Sequence, residues 1–163
     1  MNRASPMPQQ PWGQPRLPVQ QLQRFLNQSM PGAAVAHSYH VDALRQPEVR
    51  NDPSFQRFTD TELHELHHQV AALGSLMRVQ MGDQNAVNGL GYNLARFVAR
   101  RQEALQSAQQ FPAAVRENAA VGRMMNLIRQ SNRQVEQNWP AISQAVSAAG
   151  MGTLPRPQFG GQM

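Results

Sequence analysis

Between Thr59 and Gln80 the apolar residues Leu63, Leu66, Val70, Leu73 and Met77 recur at alternating spacings of three and four. That spacing gathers side chains on one side of a 3.6-residue turn and does not fit the two-residue period of a strand. A chain organised around this stretch is expected to be helical, with the stripe buried and Thr59–Gln80 as the central packing helix. Thr59 or Asp60 supplies a cap, and Glu62 and Glu65 lie in the first turns, where the helix dipole favours acids. Met81-Gly82-Asp83 closes the stretch.

Downstream, residues 84 to 109 form a second helix with Val87, Leu90, Leu94, Phe97, Val98 and Leu105 inward. Gly89 and Gly91 weaken its first turns by about 1 kcal/mol each relative to Ala. Phe111-Pro112 breaks the pattern. Pro112 opens a third helix reaching about Asn138, and Trp139-Pro140 turns into a short one over 141–149. Upstream, Pro18 starts a short amphipathic helix bearing Val19, Leu22, Phe25 and Leu26, which Pro31-Gly32 stops. In 33–58, Val35, His37, Tyr39 and Val41 alternate as in a short strand. With no partner strand in sight, an irregular or weakly helical course is an equal reading. Asn51-Asp52-Pro53-Ser54 reads as a turn.

The expected architecture is all-α: a small bundle of three long and one or two short helices. The helical domain covers 18–149 and its main bundle 59–149. Residues 1–17, rich in Pro and Gln, read as a disordered arm, and 150–163, rich in Gly and Pro, as a flexible tail.

Composition narrows the chemistry. The 163 residues contain no Cys, which removes disulfides, thiolate metal sites and Cys nucleophiles. No apolar run approaches the ~20 residues that span a bilayer. The N-terminus has no hydrophobic h-region, so no cleaved signal peptide is expected. A soluble protein follows, either secreted or injected into a host cell by another route, or cytoplasmic.

All 15 basic residues are Arg, and Lys is absent. A GC-rich genome accounts for that. So does delivery of a bacterial protein into eukaryotic cytosol, where a Lys-free chain cannot be ubiquitylated on Lys. Residues 84–133 hold Arg96, Arg100, Arg101, Arg116, Arg123, Arg129 and Arg133 against Glu103 and Glu117, so the formal net charge of +5 sits on the second and third helices. An Arg-rich face is either simply solvated or grips carboxylates or phosphates with its planar fork. The partner expected is a protein, acidic or from a host, ahead of nucleic acid.

One string carries a chemical motif. His64-Glu65-Leu66-His67-His68 fits H-E-x-x-H, in which two His one turn apart hold zinc and the Glu activates water. On these residues the chain resembles the HExxH zinc metallopeptidases, including bacterial toxin and effector proteases, in the subgroup whose third ligand is a Glu on a following helix. The resemblance implies zinc held by His64, His68 and Glu103, with Glu65 as the catalytic base. It also implies a sheet before the motif, for which the preceding residues leave at best one strand. The competing reading is a His-bearing helix face open to solvent. The leading expectation is thus a non-enzymatic helical interaction module without a cofactor, plausibly a secreted effector or accessory protein using its Arg-rich face. A small zinc metallopeptidase and a basic nucleic-acid- or virion-associated protein are the alternatives.

Overall fold

The structure is a computed structural model that describes residues 17–159. The chain is all-α, with seven helices and no strand among the described residues. The expected Pro/Gln-rich arm lies outside the described residues up to position 16.

Helix α1 runs from Val19 to Ala43, straight through Pro31. Proline in a helix forfeits one backbone bond and crowds the preceding turn, at about 3 kcal/mol. Burial on both sides outweighs that cost: Leu22, Phe25 and Leu26 precede it, and Ala36, His40 and Ala43 follow. The stop expected at Pro31-Gly32 and the strand option over 33–41 are both overturned. Ala36, His40 and Ala43 turn inward at helical spacing, whereas Val35 and Val41 are exposed. A single-turn helix α2 (Pro47–Arg50) leads to α3 (Pro53–Gln80). Helix α3 starts six residues before Thr59, because Asp52 caps it by accepting from Phe55 N (2.9 Å) and Pro53 takes the first turn. The early start brings Phe55 and Phe58 into a cluster with Phe111 and His40, with Phe55 and Phe58 each 5.5 Å from Phe111 between ring centroids.

Gly82, at φ 97°, makes the turn after α3. Helix α4 spans Ala86–Ala108, α5 is one turn (Ala113–Arg116), α6 spans Ala119–Gln137 and α7 spans Trp139–Ala148. The third expected helix is therefore split. Asn118 leaves helical geometry and caps α6 by accepting from Val121 N (3.1 Å). The long helices number four, not three, since α1 is one of them.

Side-chain bonds fix the arrangement. Helix α1 lies antiparallel to α3, through Gln80 to Gln23 at one end and His40 to Thr59 at the other. It is also antiparallel to α6, through Gln21 to Asn138 and Arg123 over the Tyr39 ring. Helices α3 and α4 form a tight hairpin joined near its open end by Arg57 to Gln110. Helix α7 packs on α4 at Gly91, where a Cβ would come within 2.3 Å of Ala149 Cβ and 2.7 Å of the Ala145 carbonyl. The described part of the tail, residues 150–159, carries no helix, as its Gly and Pro content implies, yet Phe159 is buried in the core and Leu154 packs against it.

The orientation of α3 reverses the sequence expectation. Its buried face is Phe58, Glu62, Glu65, Gln69, Ala72 and Leu76. Leu63, Val70 and Met77, expected inside, are 46%, 50% and 54% exposed. Leu66 and Leu73 are half-buried, Leu66 on the cavity between α1 and α3 and Leu73 against the core, so the outer edge of the stripe points outward while the carboxylates point in.

Candidate functional site

The inward carboxylates belong to a polar layer between the α1–α6 pair and the α3–α4 pair. Arg101 of α4, 4% exposed, is its hub. Its Nε donates to the Glu65 carboxylate, its Nη1 to Asn132 Oδ1 (2.6 Å), and both Nη atoms to Ser131 Oγ (3.1 Å each). The guanidinium carbon lies 5.3 Å from the Phe97 ring centroid. One side chain thus ties α4 to α3 and to α6, a role suited to a planar fork of five donors. Arg101 is an interior residue, so its expected place on a partner-binding surface is overturned.

Glu62 stands one turn before Glu65 and meets two histidines of α1: His40 Nδ1 at 3.1 Å and His37 Nδ1 at 3.9 Å. Thr59 Oγ1 donates to the Phe55 carbonyl (3.0 Å), and its single proton is then used, so it accepts from His40 Nε2–H (2.8 Å). His40 Nδ1 and Glu62 Oε1 thus face each other at 3.1 Å, both buried and neither in a hydrogen bond.

Beside these groups lies a cavity of about 250 Å³. Small residues of α1 make room for it: Ser29, Gly32, Ala33 and Ala36 form one face at helical spacing. Glu62, Glu65 and Arg101 line the opposite side. Gln69 closes the end by donating to Ser29 Oγ (2.9 Å), which donates to the Leu26 carbonyl (3.2 Å). Burial pushes the Glu65 carboxyl up to about 7, helped by the neighbouring Glu62 charge and opposed by Arg101. Loss of water around the carboxylate thus outweighs the guanidinium beside it. A carboxyl that titrates near neutrality can hold or release a proton into the cavity, but here it is pinned by Arg101.

The residues of the zinc motif are not brought together. His64 is exposed. His68 turns toward α4, where its Nδ1 meets Asn93 Oδ1 at 2.9 Å and its ring touches Tyr92. Glu103 is exposed and paired with Arg100 (2.8 Å), and Glu65 is held by Arg101 on the buried face. A tetrahedral site needs its donors to meet ~2 Å from one point. His68, Glu103 and Glu65 are each committed elsewhere, and no group of three or more His, Asp or Glu is arranged to hold a metal among the described residues. As placed, the set does not fit zinc.

The remaining predicted arginines divide in two. Arg96 and Arg100 on α4 are half-buried. Arg116 on α5 is exposed and donates to the Phe111 carbonyl (2.7 Å). On α6, Arg123 and Arg133 are exposed and Arg129, half-buried, donates to Asn126. None of these last four makes an ion pair among the described residues. Sequence reasoning did not reach the polar layer. The only hint was that Glu62, Glu65 and Gln69 follow a helical period of their own, offset from the apolar stripe.

Comparison of the chain with protein-family models, curated proteins and solved structures gives no match. Among the described residues, no helix is long and apolar enough to cross a membrane.

Proposed function

We propose that the chain is a non-enzymatic helical interaction module that binds an acidic protein surface through the outer face of α5 and α6. The observation that carries this reading is the row Arg123, Asn126, Gln130 and Arg133 on the exposed side of α6, with Arg129 and Arg116 beside it. No acid stands on α6 before Glu136, and these arginines have no carboxylate partner among the described residues. Guanidinium groups at helical spacing without a carboxylate partner suit bidentate grip on carboxylates and raise on-rates for an anionic partner. Absence of Lys suits a secreted effector or accessory protein working in a host cytosol.

The test is fluorescence anisotropy with a labelled polyglutamate peptide and, separately, a DNA duplex. The peptide is expected to bind, and Arg123→Glu/Arg133→Glu to weaken it by about tenfold or more, since like charges set opposite one another cost at least 1–2 kcal/mol. Peptide binding that ignores the charge reversal would sink the reading. Preference for the duplex, with affinity collapsing steeply as salt rises, would replace it with the nucleic-acid one.

A further inference from the structure

We propose that α3 is a self-association surface, on which the seam Leu63, Leu66, Val70, Leu73 and Met77 pairs with the same seam of a second copy of this chain. The spacing three, four, three, four is the a/d repeat of a two-stranded coiled coil, in which each knob enters a hole on a facing helix. Leu63, Val70 and Met77 hold the a positions, and Leu66 and Leu73 the d positions. The a residues are about half exposed and lie outside the inward row from Phe58 to Leu76, while the d residues Leu66 and Leu73 are half-buried at the border between that row and the seam. Met81, 83% exposed, extends the apolar surface by one turn.

Gly74 is the second observation. It lies within α3 beside Val70 and Met77, where glycine costs up to about 1 kcal/mol relative to Ala. A Cβ built there meets nothing within 4 Å, so packing within the chain gives no reason for the glycine. Close approach of another backbone along the seam does.

The occupant follows from what flanks the stripe. Coiled coils select an unlike partner through charges at the e and g positions. Here the e positions are His67, Gly74 and Met81, and the g positions Glu62, Gln69 and Leu76 turn inward. No outward Asp, Glu or Arg stands beside the seam between Asp60 and Arg78, so nothing on it selects a charged helix and nothing repels an identical one. Residues 1–16 carry Pro at 6, 8, 11 and 15 and lack the 3-4 apolar repeat that the seam would receive. Two copies run antiparallel satisfy it: Val70 meets the partner's Leu73, and Leu66 the partner's Met77. Such pairing is isologous and closes at two. The seam is short, so the dimer belongs with small, weak interfaces below ~1,200 Å².

Sedimentation velocity on the full chain tests this, from about 1 to about 500 µM, the range that a small interface calls for. The expected result is a concentration-dependent rise toward twice the 18.2 kDa chain mass. Val70→Glu and Met77→Glu, each on an exposed helical site where Glu is tolerated, should raise the dissociation constant at least tenfold with helicity unchanged. Arg123→Glu, on the opposite pair of helices, should associate like the parent. A chain that stays monomeric throughout overturns the proposal. So does association that survives both seam variants, or that Arg123→Glu removes.

Discussion

At the scale of single residues, the fold rests on an unusual exchange. Glu62, Glu65 and Gln69 are inside α3's packing face and Leu63, Val70 and Met77 outside it. A buried ion pair is weak evidence of stability, because desolvating both charges costs several kcal/mol. Removing one partner is far worse than removing both. Arg101→Leu should therefore destabilise by about 3–5 kcal/mol, leaving Glu65 without its cation and Asn132 and Ser131 without their donor. The double change Glu65→Leu/Arg101→Leu should recover much of that loss. Chemical unfolding of the four chains in a double-mutant cycle measures it, and a double variant as unstable as the sum of the singles would refute the account. The same carboxyl sets a pH dependence. Glu65 is raised from 4.5 to about 7, so the folded state takes up its proton more readily than the unfolded one. Its contribution is fully present below about pH 4.5 and fades as pH rises through about 7, a change of ~3 kcal/mol. The stability of the parent relative to Glu65→Gln, which stays neutral, should thus fall between about pH 4.5 and about pH 8. A rise over that interval would mean that Arg101 outweighs burial.

At the scale of helices, two glycines make opposite predictions. Gly91 lets α7 lie on α4, and its missing Cβ would strike both Ala149 and the Ala145 carbonyl. Gly91→Ala should cost about 1–3 kcal/mol as α7 is pushed away. Gly74→Ala meets open space and should stabilise the isolated chain by up to about 1 kcal/mol through helix propensity alone. Melting temperatures that move in opposite directions confirm the pair, and a Gly91→Ala chain as stable as the parent would show that α7 is not seated there. The helices themselves were legible in part: periods and breaks put α4 and α7 within two residues of their observed places and the end of α6 near Asn138, but not the break between α5 and α6. Two further features were not legible. The stop at Pro31 follows local propensity, which burial on both sides of the proline overrides. The inward face of α3 was misread because periodicity relates residues to one another on a helix and does not say which row faces the core. That depended on Arg101 and His40, 36 and 22 positions away from their carboxylates in the chain, which no local pattern connects to α3.

At the scale of the whole molecule, the segment after α7 is part of the folded core. Gly- and Pro-rich composition predicts a tail without helix, and none forms over residues 150–159, but composition is blind to a single aromatic residue that finds a slot. Phe159 is 3% exposed within the same core cluster as Phe55, Phe97 and Trp139, eleven residues after the last helix ends. Burying a Phe side chain is worth roughly 2–3 kcal/mol of transfer free energy, enough to hold a short segment against the entropy of ordering it. The tail then acts as a strap, joined to the end of α7 by the Ser147 hydroxyl bonding to the Gly152 carbonyl. Phe159→Ala should lower the unfolding free energy by up to about 3–5 kcal/mol, the range for truncating a buried aromatic. Met151→Ala, at an exposed position of the same segment, should stay within about 0.5 kcal/mol. Urea unfolding of both variants separates a strap from a free tail. If Phe159→Ala unfolds at the parent's midpoint, the core closes without the tail, and the helices ending at Ala148 are the complete folded unit.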